Sequence, residues 1–396
     1  MQRTVTADAG VSVWRATFAG LCASLVGIGL ARFAYTPLIP VLIRAGWFSP
    51  AQAAYLGAAN FAGYLAGALA ARWLARVLPP RPLLRGMMVL ATLAFFACST
   101  PVWVVWFFVW RFLAGVAGGV LMVLAAPSIL PFVPVHRRGI AIGAIFTGVG
   151  LGIAASGTLL PLLLQFGVGA VWLALGALSA VLTLLAWGGF PRAAPPVPPA
   201  GAGKGRASFP LLAVILAYGL NAVALVPHMV FLVDYVARGL DRGIAAGAAT
   251  WVAFGIGALI GPTAAGAIAD RIGFTLALRG AFAMQLAAVA LLLASTAPPA
   301  LLLSAAIAGA FAPGVAALML GRVNTLTVPG SDAARAGWSW ATTAWAVGQT
   351  AGAYGFSWVF ARTGEYAYLF GSGCVLLALS LLADAVAGYS STRSSR

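Results

Sequence analysis

Between Trp14 and Ile43 the chain runs for 30 residues with two charged side chains, Arg15 at the start and Arg32 within. A helix needs roughly 20 apolar residues to cross about 30 Å of hydrocarbon. Runs of this kind recur near Ala51–Ala75, Leu83–Ser99, Val102–Leu130, Ile140–Leu164 and Val168–Gly188. Six more lie near Phe209–Val236, Ile244–Ala269, Phe274–Ser295, Ala300–Leu320, Gly337–Phe360 and Tyr366–Ala387. The 396 residues are 62% hydrophobic and only 8% charged, against about 25% charged in soluble domains. A water-facing surface cannot be built from that remainder. The chain reads as an all-α membrane protein with twelve transmembrane helices.

The net charge of +16 does not imply nucleic acid. The basic residues are thinly spread between apolar runs, and basic cytoplasmic loops explain them. With the N-terminus placed inside, 17 of the 23 Lys and Arg residues fall on inner segments. Only Arg44, Arg238, Arg242 and Arg362 fall outside, and Arg32 and Arg111 lie within spans. Both termini are therefore expected in the cytoplasm. Cys22, Cys98 and Cys374 lie within apolar runs at no metal-ligand spacing and are expected to be small buried hydrophobes. The first run is too long for the h-region of a cleavable signal peptide.

After the sixth run comes PRAAPPVPPAGAGKGRAS, a Pro- and Gly-rich stretch unable to form a stable helix. The expected organisation is a cytoplasmic tail 1–13, a six-helix bundle 14–190, a cytoplasmic linker 191–208, a second six-helix bundle 209–388 and a tail 389–396. An internal repeat supports it. GALAARWLARVLPPRPLLRG from Gly67 aligns with GAIADRIGFTLALRG from Gly266, a shift of 199. In runs five and eleven, Gly139, Gly150 and Gly157 align with Gly337, Gly348 and Gly355, a shift of 198. Two pseudo-symmetric six-helix bundles follow.

These motifs carry a resemblance. GAIADRIGFTLALRG, with Gly266, Asp270, Arg271, Gly273 and Arg279, is similar to the cytoplasmic motif of the major facilitator superfamily. RFLAGVAGG, with Arg111, Gly115 and Gly119, resembles that superfamily's fourth-helix motif. The first-half loop departs from the pattern, with Ala71 where aspartate is expected. GLARFAYTPLIPVLI, AAYLGAANFAGYLAGAL and VPHMVFLVDYVARGL resemble a bacterial subfamily, the YbfB/YjiJ type. The resemblance implies a secondary transporter of the bacterial inner membrane, working by alternating access. The coupling proton is likewise an implication of the superfamily.

Polar groups within the runs mark candidate sites, since each is expensive in lipid. Arg111 lies roughly 14 Å past the outer end of its run, close to the midplane. It is expected either to face a polar cavity or to clamp a neighbouring helix. Arg32, about 25 Å from Arg15 along a straight helix, either lines the cavity, binding an anion bidentately, or snorkels outward. Pro37 and Pro40 loosen the helix beyond it. Further cavity candidates are Tyr35, Asn60, Tyr64, Tyr218, Asn221, Trp345, Gln349 and Tyr354, with Asn221 the foremost amide. His228 and Asp234 are candidates for carrying a coupling proton. Asp234 and Asp384, near run ends, are expected at the interfaces.

Deep positive charge without an evident deep carboxylate favours a small organic anion or neutral metabolite. The alternative is a proton antiporter exporting amphipathic compounds. Remoter ones are a transporter-fold sensor and a membrane-embedded enzyme, the latter disfavoured because His136 and His228 are far apart and no nucleophile cluster is evident. Gly266, Asp270, Arg271, Gly273 and Arg279 are expected to brace runs eight and nine and tune gating. No cofactor, metal or nucleic-acid partner is expected. The partners are a small-molecule substrate, a proton and the bilayer, with the monomer as the working unit.

Overall fold

The computed structural model describes residues 12–129, 132–134, 138–191, 208–327 and 332–394. Most of the expected linker lies outside them. Among the described residues the chain forms twelve helical stretches and no strand. The first six are α1 Val13–Arg44, α2 Pro50–Val77, α3 Pro80–Ala97, α4 Val104–Ile129, α5 Arg138–Leu163 and α6 Val168–Ala186. The others are α7 Phe209–Gly239, α8 Gly243–Ile272, α9 Phe274–Ala294, α10 Pro298–Leu326, α11 Asp332–Thr363 and α12 Tyr366–Ser394. The tail expected from residue 389 is helical as far as Ser394, a continuation of α12.

Nine of these stretches, all but α2, α3 and α11, are long and apolar enough to cross a membrane. Their outer faces carry large apolar side chains open to the surroundings, among them Val105, Leu162, Leu184, Leu216 and Val375. Such a surface is stable against lipid and not against water. Helix starts are set locally. Ser49 and Gln52 form a capping box at α2, whose first residue is Pro50. Gly273, at φ +83°, ends α8 and turns the chain into α9.

Helix pairing repeats along the chain. α2 lies along α4, α1 along α5, and α3 against α4 and α6. In the same way α8 lies along α10, α7 along α11, and α9 against α10 and α12. Between the two sets, α5 packs on α8 and α2 on α11. The crossings are made by glycines, because only a missing Cβ lets two backbones approach this closely. A Cβ on Gly63 or Gly67 would stand 1.9 or 2.2 Å from the carbonyl oxygen of Phe112 or Val116. On Gly257 or Gly261 it would stand 2.0 Å from that of Ala306 or Ala310.

This packing corrects the register of the repeat. Gly63 corresponds to Gly257 and Gly67 to Gly261, a displacement of 194 residues, not the 199 of the loop motif. Gly266, the sequence partner of Gly67, faces open space. In α5 and α11, Gly148 meets the Leu21 carbonyl and Gly348 the Gly219 carbonyl, a displacement of 200, not 198. A crossing glycine and a loop-motif glycine look alike in a sequence, and the eye pairs the more decorated stretch.

Candidate functional site

The two helices that open the repeated sets, α1 and α7, are both irregular. In α1, Ser24 ends a regular segment, and widened turns run through Leu25–Leu30. Ala31 N–H donates to the Val26 carbonyl and Phe33 N–H to Ile28, each one residue farther back than a regular helix allows. Gly27 and Gly29 permit close packing here, against α4 and α5 respectively. In α7, Pro227 opens a widened segment Pro227–Phe231, where it brings no N–H, and a second covers Tyr235–Gly239. Interrupted ladders leave carbonyls to be satisfied from outside. Arg111 Nη1 on α4 donates to Ala31 O at 2.6 Å, and Gln349 Nε2 on α11 to Ala222 O at 3.1 Å. Thr36 Oγ1 on α1 reaches across to Met229 O on α7 at 2.5 Å.

Arg32 follows the widened turns of α1 and is 7% exposed. Its guanidinium carbon lies 4.1 Å from the Phe61 ring centroid, 5.1 Å from Tyr64 and 5.4 Å from Phe33. Three aromatic faces thus hold the cation by their quadrupoles. Nε and Nη2 are buried and have no hydrogen-bond partner. An unpaired buried guanidinium nitrogen is costly; Arg81, Arg111 and Arg322 each leave Nε in that state, and Arg32 leaves two nitrogens. The wall beside it is a cavity of about 570 Å³, counting its opening. α1, α2, α4 and α5 line one side and α7, α10 and α11 the other.

Four of the residues singled out in the sequence meet in that lining: Arg32, Tyr64, Tyr218 and Trp345. The last two rings lie 4.5 Å apart at a tilt of 30°. Tyr35, Asn60 and Arg111 line a smaller void of about 260 Å³ on the other side of Arg32. Arg111 is fixed there by the Ala31 carbonyl and lies 4.3 Å over the Tyr35 ring. Asn60 donates to the Arg111 carbonyl at 3.1 Å. Of the two arginines, Arg111 clamps a helix and leaves only Nε unpaired, whereas Arg32 leaves both Nε and Nη2 unpaired. Asn221 lies away from both voids, in the α7–α9 contact, where it donates to Gln285 Oε1 at 2.6 Å. Gln349 is spent on the α7 backbone, and Tyr354 stands by Tyr55 at 6.4 Å.

Other lining residues escaped the sequence reading. Phe61 shares a helix face with Tyr64, three residues on, a spacing visible in the sequence. Trp338, Thr342 and Met229 come from remote elements and carry no local signal. Beyond Arg32, away from the start of α1, the two sets of helices are tightly joined. Phe33 meets Trp251 and Phe254, Trp251 Nε1 donates to Ser156, and Thr350 Oγ1 donates to the Phe61 carbonyl. Toward the start of α1 the space continues past Met122, Trp338 and Thr342 into a further void of about 720 Å³.

Asp234 and Asp384 are enclosed by protein, at 1% and 0% exposure. Asp234 pairs with Arg238 at 2.5 Å and accepts from Tyr366 at 2.7 Å, tying α7 to α12. Each buried carboxylate survives because it is paired. His228 contacts Ser304 Oγ at 3.0 Å, and Ser304 in turn donates to the Ala288 carbonyl. That serine proton is therefore committed, so His228 donates through Nε2, leaving Nδ1 bare and buried. Near the α8–α9 turn, Asp270 and Arg271 are exposed, as is Gly273, and Gly266 has open space above it. The polar bridge at this end is instead Arg279 Nε to Asp384 Oδ2 at 2.6 Å, joining α9 to α12. Phe274 packs against Gly321, joining α9 to α10.

Residues 24–385 match the family model described as the uncharacterised MFS-type transporter YbfB. No curated protein matches the chain. The match spans nearly the whole helical body, including α1 from Ser24 onward, all of α7 and every residue around the cavity. The chain is a multi-pass membrane protein and belongs to this family of major facilitator transporters.

Proposed function

We propose that the protein is a secondary transporter that carries a small organic anion by alternating access, with Arg32 as the anion's anchor. Twelve spans in two six-helix bundles would rock about the central cavity, with both termini on the cytoplasmic side of a bacterial inner membrane. The observation that carries this reading is Arg32 itself: a permanent cation with two unpaired nitrogens, on a cavity walled by both sets of helices. Among the described residues lining that cavity, none is acidic. A cationic drug has no counter-charge there, whereas an anion finds a bidentate donor.

The repeated pairings support two bundles, and the contacts between them are unequal. They gather on the far side of Arg32 from the start of α1, while the cavity widens toward that start. This unevenness supports reading the arrangement as one state of an alternating carrier. His228, with a bare Nδ1, and Asp234 are the proposed proton carriers, and the monomer is the proposed working unit. The family match favours transport over catalysis.

Reconstituted vesicles offered a defined panel of organic acids, with contents read by mass spectrometry, test the proposal. At least one acid should accumulate with the wild type and not with Arg32→Gln. An imposed pH gradient should then speed uptake in the direction of proton flux. Equal accumulation in wild type and Arg32→Gln removes the anchor role, and accumulation against the proton flux selects the exporter reading.

A further inference from the structure

The cavity beside Arg32 is chemically lopsided. Its one charged group is Arg32, and the remaining lining is almost wholly apolar, with Ile28, Phe146, Val149, Met229 and Pro313 among it. Tyr218 and Trp345, their rings tilted by 30° at 4.5 Å, add an aromatic wall. Polar groups are few: the hydroxyls of Tyr64, Tyr218 and Thr342 and the indole N–H groups of Trp338 and Trp345.

Each feature restricts the ligand. One cation neutralises one negative charge, and a second carboxylate would be buried without a partner. A phosphate monoester, at about −1.5 to −2, carries the same excess. A polyhydroxylated body would leave most hydroxyls unsatisfied against these walls. A planar carboxylate matches the two unpaired guanidinium nitrogens in geometry as well as charge. We propose, resting on the anion-transport reading above, that this cavity selects amphipathic monocarboxylates. The carboxylate sits on the unpaired edge of Arg32, and an apolar or aromatic body lies against the walls that include Tyr218 and Trp345.

Purified protein, two monocarboxylate probes and three controls test this by thermal-shift titration. Benzoate has one charge and a flat apolar body, and hexanoate one charge on a flexible apolar chain; among the controls, benzamide removes the charge, terephthalate adds a second carboxylate at the far end, and gluconate keeps one charge on a hydroxylated body. Benzoate should stabilise the wild type, with apparent affinity at least about tenfold above each control. Arg32→Gln should abolish that shift, and Arg32→Lys, which keeps the charge without the planar fork, should retain part of it. Trp345→Ala should weaken benzoate by about two- to tenfold and hexanoate less. Preference for terephthalate or gluconate, lost in Arg32→Gln, overturns the monocarboxylate class and leaves the anion site standing. Benzamide binding as well as benzoate, or a benzoate shift unchanged in both Arg32 variants, overturns both. No shift with benzoate or hexanoate in the folded wild type overturns the monocarboxylate class.

Discussion

Arg32 and Arg111 both lie buried at the centre of the helices, and their surroundings divide their work. Arg111 is committed to the Ala31 carbonyl and the Tyr35 ring, whereas Arg32 has aromatic faces around it and two nitrogens without partners. Arg111→Gln should therefore lower thermal stability by roughly 1.5–3 kcal/mol, the worth of a hydrogen bond from a charged group. It should leave the order of ligand preference unchanged, as detergent melts with and without benzoate will measure. Arg32→Gln should have the opposite profile, with binding lost and the melting temperature little changed or raised. The sequence made both residues conspicuous, because a charge inside an apolar run is visible without a structure. It could not tell them apart, since the Ala31 carbonyl becomes available only through the widened turns of α1. The amides were harder still: Asn221 and Gln349 read as cavity residues and are occupied within helix contacts.

Among the elements, the crossings of α2 with α4 and α8 with α10 are fixed by backbone approach. Gly67→Ala would place a methyl 2.2 Å from the Val116 carbonyl. Overpacking of that order costs about 1–3 kcal/mol, so the variant should melt earlier and express poorly. Gly266→Ala meets nothing within 4 Å and should be silent; equal damage at both positions would restore the register read from the loop motif. A second element-scale device is the tie between α7 and α12 through Asp234, Arg238 and Tyr366. Asp234→Asn keeps the shape and removes the charge, leaving Arg238 without its carboxylate. Tryptic cleavage after Arg238, followed in vesicles, should accelerate in this variant and not in Tyr366→Phe, which leaves the ion pair in place. Most helix limits were legible, because apolar runs, prolines at first turns and Gly273 mark them. The widened segments were not. Pro37 and Pro40 drew attention, yet the distortion in α1 begins earlier, at the close packing of Gly27 and Gly29.

For the whole molecule, the repeat of pairings and the uneven contacts between the two sets imply a body with two arrangements. Membership of the transporter family was legible from motifs at the α8–α9 turn and in α4, since loop and crossing motifs are local. The cavity's composition was not, because its walls come from seven helices spread along the chain. The central claim is that an anion on Arg32 biases how the two sets of helices meet. Spin labels at Ser49 and Glu365, and a second pair at Gly143 and Thr263, report the two faces, and their distances can be read by pulsed electron resonance. The account predicts that saturating benzoate shifts the two distances in opposite directions in the wild type and leaves both unmoved in Arg32→Gln. Distances that stay fixed at both faces of the wild type, or move alike in the variant, would contradict it.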